Sequence, residues 1–80
     1  MPHPEGTRAE FTRHARAQMA ERGLGEDDVR AVLATGERLF LDPHGNRVVA
    51  GVVRGRLVFV VVAAGSAPPR VITVVERGGV

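Results

Sequence analysis

The chain has 80 residues, with 11 arginines and no lysine, nine acids and a formal net charge of +2. It has no cysteine, so disulfides and thiolate metal sites are excluded. Its 44% hydrophobic and 25% charged residues argue against a disordered chain, and the length leaves one domain over residues 1–80 with a thin core. Residues 1–10 read as a loose lead-in broken by Pro2, Pro4 and Gly6. Met1-Pro2-His3-Pro4-Glu5 lacks the basic-then-apolar pattern of a signal peptide. The longest apolar run, Leu57 to Ala64, is far short of the ~20 residues of a membrane span. A cytoplasmic protein with no membrane partner is the expectation.

A first helix is expected from an N-cap at Thr12, or from Thr7 with Glu10 at capping-box spacing, to about Arg22. Gly23 supplies a left-handed stop and Leu24 the apolar contact that often follows it. On a helical wheel Phe11, Ala15 and Met19 form a narrow core stripe that also takes in Arg22, with His14 and Gln18 on its flank. A second helix is expected from Gly25 to Thr35, stopped by Gly36, with Glu26, Asp27 and Asp28 at the positive end of its dipole. The period then shifts to that of strands: 37–41, 47–53, 56–64 and 70–76, joined by a turn at 42–46, a tight hairpin at Arg54-Gly55 and a loop at 65–69. Residues 77–80 read as a flexible tail. The expected architecture is α+β: two N-terminal helices packed on a four-stranded antiparallel sheet, in the order α-α-β-β-β-β.

Alternation leaves both faces of that sheet apolar. Val58, Val60 and Val62 lie on one face of the third strand, and Leu57, Phe59 and Val61 on the other. Two short helices cover only one face, and the lead-in has little apolar surface for the second. The uncovered face predicts a homodimer, or another chain, docked across the sheet. Charge is also unevenly distributed: residues 1–42 balance to −2 and residues 43–80 to +4, so the second half presents a basic surface suited to phosphate.

Few residues carry chemistry. His3, His14 and His44 have no acid or cysteine at metal-ligand spacing, and Ser66 lacks a nucleophile-elbow context. His14, at the border of the core stripe, is either a solvated helical residue or a general acid or base near neutral pH. Arg22, within an apolar stripe, needs an ion-pair partner, for which an acid of the second helix is the expectation; the alternative is that it faces a cleft and binds an anion. Arg70 is a candidate phosphate ligand on charge alone, and strict alternation points it and Thr73 to opposite faces. Arg54 and Arg56 read as solvated charges beside the hairpin glycine, and His44 as a turn residue.

The run Phe11-Thr12-Arg13-His14-Ala15-Arg16-Ala17-Gln18-Met19-Ala20-Glu21-Arg22-Gly23-Leu24 resembles the opening signature of the bacterial domain-of-unknown-function family numbered 4258. Glu26 through Val29, Val32-Leu33 and Gly36 resemble its second helix. Gly45-Asn46-Arg47, Gly55 to Val60 and Val71-Ile72-Thr73-Val74 resemble its strands. The resemblance spans residues 10–76 and implies the fold of RelE- and ParE-like toxins and related small ribonucleases. It implies metal-independent RNA cleavage with no cofactor, by a toxin-type protein whose partners are RNA and an antitoxin or immunity protein. His14, Arg22 and Thr73 stand at the motif positions and are the implied catalytic residues, to which charge adds Arg70 as a substrate ligand. The chain departs from related toxins in having no Tyr or Trp for base stacking; Phe11, Phe40 and Phe59 all read as core. The other reading is a non-catalytic interaction or regulatory module of the same fold.

Overall fold

A computed structural model describes residues 8–77, which build a five-stranded mixed sheet with two helices on one face. Strand β1 (Glu10–Phe11) comes first, followed by α1 (Arg13–Arg22) and α2 (Glu26–Thr35). Strands β2 (Glu37–Leu41), β3 (Arg47–Val53), β4 (Arg56–Val62) and β5 (Arg70–Arg77) complete the chain. The sheet order is β1-β5-β4-β3-β2; β1 pairs parallel to β5 and the other pairs are antiparallel. This corrects the expected four-stranded, helices-first order. The expected lead-in ends in a strand, because Glu10 and Phe11 add to the outer edge of Arg70 and Val71. Two residues are too few to show a period, so only a long-range pairing reveals β1. The third expected strand stops at Val62, and the last runs on to Arg77, where the tail was expected to begin. Residues 1–7, including Thr7 as the alternative cap, and 78–80 lie outside the described residues.

Local chemistry sets the helix ends. Thr12 Oγ1 accepts from Ala15 N at 3.1 Å and starts α1. Gly23 ends it at φ 68°, in the left-handed region, and Leu24 N then donates to Met19 O at 2.9 Å while its side chain is buried. Asp28 Oδ2 accepts from Gly25 N at 2.9 Å at the start of α2. Gly36 follows α2 at φ −74°, so its role is not conformational. A Cβ there would overlap the carbonyl oxygens of Val32 and Ala50, where the chain leaves the helix pressed against β3.

The core lies between the helices and one sheet face. Val58, Val60 and Val62 of β4, Val71 and Val74 of β5, and Val49 and Val53 of β3 pack under Ala15, Met19, Leu24, Val29 and Val32. Val71 and Val74 are three apart yet both fully buried, because β5 carries an extra residue, Ile72, between its pairings with Val62 and Val61. This bulge resets the alternation. Arg70 and Thr73, each next to a core valine, share the face away from the helices, contrary to the strict-alternation expectation.

The basic residues flanking the β3–β4 turn are not simply solvated. Arg54 (φ 48°) and Gly55 (φ 80°) are both left-handed, as the tight turn requires. Arg54 donates to Asp28 Oδ1 at 3.1 Å and to Gly23 O at 3.0 Å; Arg56 Nη1 donates to Arg22 O at 3.1 Å and to Glu76 Oε1 at 3.0 Å. Together they tie the hairpin to the helix connection. Asp42 closes the β2–β3 turn by accepting from His44 N and Asn46 N, each at 2.9 Å, so His44 is a turn residue as expected.

Three carboxylates are held below their usual range: Glu26 mainly by Arg16, Asp28 by the Gly25 N–H and then Arg54, and Asp42 mainly by the Asn46 N–H. A folded-state pKa below the unfolded one gives stability that is present above the ordinary carboxylate range and lost as pH falls through the folded value. The melting temperature is therefore expected to be flat near neutrality and to fall below about pH 4. Calorimetry across that range checks this, and an unchanged melting temperature in acid contradicts it.

Candidate functional site

Three contacts in sequence order lay α1 along β5. Thr12 N donates to Val71 O at 3.0 Å. Val74 N donates to Gln18 Oε1 at 2.8 Å. Arg56 joins Arg22 O to Glu76. Helix and strand therefore run in the same direction, and positions 14, 18 and 22 recur at i, i+4 and i+8 on one helix flank. β1 pairs only with Arg70 and Val71, so beyond them the outer edge of β5 has no strand partner among the described residues. Gln18 takes one of the N–H groups left there. The sequence put Gln18 beside the core stripe; its target depends on the bulge and on the shortness of β1, which no local pattern shows.

His14 is exposed on this flank, abreast of the segment between Val71 and Val74. Arg22 lies two turns further on, ~12 Å along the axis. Its side chain is 29% exposed, Nη1 donates to Gln18 O at 3.2 Å, and its ion pair is with exposed Glu21 at 3.6 Å. The expected partner from α2 is not the one found: Glu26 is engaged by Arg16 and Arg30, and Asp28 by Arg54. The charge of Arg22 thus rests on a weak exposed pair and on the negative end of the α1 dipole.

Thr73 is half-buried on β5, one residue before Val74, and its side chain faces away from α1. Arg70 shares that face and pairs loosely with Glu10 at 3.6 Å, both side chains being more than half exposed. The four residues are thus ranged around one strand edge, His14 and Arg22 on the helix side and Arg70 and Thr73 on the other, rather than gathered in a single pocket. Ser66 Oγ donates to Ala63 O and accepts from Arg70 N, a loop-closing role.

The aromatic expectation needs correction. Phe11 packs at the core margin with the guanidiniums of Arg16 and Arg30 each 5.5 Å from its ring centre. Phe59 is half-buried on the open sheet face. Phe40 is 59% exposed, because it lies on edge strand β2, on the face no helix covers. That face also presents Val52 (71% exposed), Leu57 and Val75.

No helix among the described residues is long and apolar enough to cross a membrane. Residues 11–76 match the model of a family described as Domain of unknown function (DUF4258). No curated protein and no solved structure matches the chain.

Proposed function

The chain belongs to the DUF4258 family, and from that premise we propose that it is a metal-independent, toxin-type ribonuclease of RelE-like fold, acting at the outer edge of β5. The observation that carries this reading is the Gln18–Val74 hydrogen bond, which holds the flank bearing His14 and Arg22 along the strand that bears Arg70 and Thr73. In the reaction an RNA 2′-hydroxyl attacks the adjacent phosphorus and gives up its proton; the bond to the 5′ oxygen breaks and that oxygen takes a proton. His14 performs one of these transfers. Arg22, too far along the helix to share an atom with His14, holds a neighbouring phosphate, and Arg70 and Thr73 contact the strand as it rounds the edge. The test is incubation of the purified protein with total RNA and with tRNA in EDTA. Cleavage that weakens as salt rises is expected, because phosphate contacts are screened. Intact RNA in every condition contradicts the reading.

A second reading has its own support in the open sheet face. Val52, Leu57, Phe59 and Ala50 line a groove of about 470 Å3 there, beside exposed Leu39. An apolar surface of this kind fits a docked chain, either a second copy or an antitoxin or immunity protein. Whether the N-terminal lead-in covers this face falls on residues 1–7, outside the described residues. Light scattering at micromolar concentration is expected to give a dimer that Val52→Arg converts to a monomer; a monomeric wild type contradicts docking of a second copy.

A further inference from the structure

We propose that the β2 edge is a binding platform for single-stranded RNA, with the Phe40 ring stacking on a base and Arg38 and Arg47 holding the flanking phosphates. The three residues line one shallow groove of about 240 Å3 together with Leu39 and Leu41. Arg38, paired with core Val49, and Arg47, paired with core Val62, lie on the helix side, and Phe40, paired with Val48, lies on the open face. The three therefore meet around the outer edge of β2, with the bulge at Leu39 between Arg38 and Phe40. Arg47 arrives from the facing strand, opposite Leu41.

Charge selects the occupant. Among the described residues, seven ion pairs engage Arg16, Arg22, Arg30, Arg54, Arg56 and Arg70, and none engages Arg38 or Arg47. Two acids close to them in sequence, Glu37 and Asp42, are turned away or engaged elsewhere. Both carboxylate oxygens of Asp42 are held by the turn, through His44 N, Asn46 N and Asn46 Nδ2. Glu37 pairs with Ala50 and so lies on the opposite face from Arg38. Two guanidiniums with no ion-pair partner among the described residues, across the strand edge from an exposed aromatic ring, match what single-stranded nucleic acid offers: phosphates and a base face. A second copy docked edge to edge would instead bring four such guanidiniums to one seam. The chain's lack of Tyr and Trp is thus offset at one position, because Phe40 is outside the core.

This deepens the ribonuclease reading and rests on it, so the test separates binding from cleavage. A labelled single-stranded oligoribonucleotide is titrated by fluorescence anisotropy into the His14→Ala protein. Adding Phe40→Ala is expected to weaken binding by about 5- to 100-fold. Adding Arg38→Gln and Arg47→Gln is expected to weaken binding and to make the slope of log affinity against log salt shallower by about 1.4. Melting curves of both variants should overlay the parent, since Phe40, Arg38 and Arg47 all lie outside the core. RNA binding unchanged by these substitutions, or a protein that captures a second copy there and no RNA, overturns the platform while leaving cleavage to stand on its own assay. Binding that needs Phe40 in a wild type that never cleaves RNA supports the platform and removes the catalytic reading.

Discussion

His14→Ala is expected to lower the rate of RNA cleavage by about 10²–10⁴-fold, the usual contribution of a positioned proton-transfer group. The fold should be unaffected, because His14 is exposed and no side-chain hydrogen bond holds it among the described residues. Its neighbour on the flank gives an internal comparison. Arg22→Ala removes a weak exposed pair and a contact to the C-terminal turn of α1, together worth at most about 1 kcal/mol. A large loss of activity with a small shift in melting temperature therefore assigns Arg22 to the substrate. A large loss of stability would instead assign it to the core stripe that its stem covers. Equal cleavage by wild type and His14→Ala removes His14 from the mechanism.

The second large effect concerns stability. Gly36→Ala places a methyl group against two backbone oxygens, Val32 O and Ala50 O, at the point where α2 passes into β2. Backbone carbonyls cannot rotate away as a side chain can, so helix and sheet must separate. The expected cost is about 1–3 kcal/mol, the usual range for overpacking a close contact. In a domain of this size each kcal/mol lowers the melting temperature by roughly 4–8 °C. Gly23→Ala strains only a left-handed residue with open space around its Cβ position, so its effect should be smaller. If Gly36→Ala melts with the wild type, the close approach of α2 to β3 is not what requires a glycine.

Features with local causes were legible in the sequence. Thr12, Gly23 and the Arg54-Gly55 pair each act within a few residues, and each performs the role its type implies. Strands β2 and β3 likewise have the expected limits, because alternation and turn residues bound them. What was not legible depends on distant pairing. β1 exists only because Phe11 meets Val71. The Ile72 bulge appears only in the register with β4, yet it decides which face Arg70 and Thr73 share. Arg54 and Arg56 look like solvated turn charges until the hairpin is placed against Gly23 and Arg22. Phe40 looks like core until β2 proves to be the outermost strand, with no helix over that face. For the proposed site, the candidates His14, Arg22 and Thr73 were legible as positions in the resemblance. Their arrangement around one strand edge was not, since it turns on Gln18 reaching Val74.

The central claim is transesterification by the RNA's own 2′-hydroxyl at the β5 edge, and the ends of the cleaved strands report on it directly. RNA is digested by the wild-type protein in EDTA, and the 3′ ends are examined for their ability to be ligated or extended before and after treatment that removes a cyclic phosphate. The account predicts 2′,3′-cyclic phosphate ends facing 5′-hydroxyl ends, in yields that fall with His14→Ala. Ends bearing a 3′-hydroxyl and a 5′-phosphate, or RNA left whole by a folded protein whose expression does not arrest bacterial growth, would contradict it.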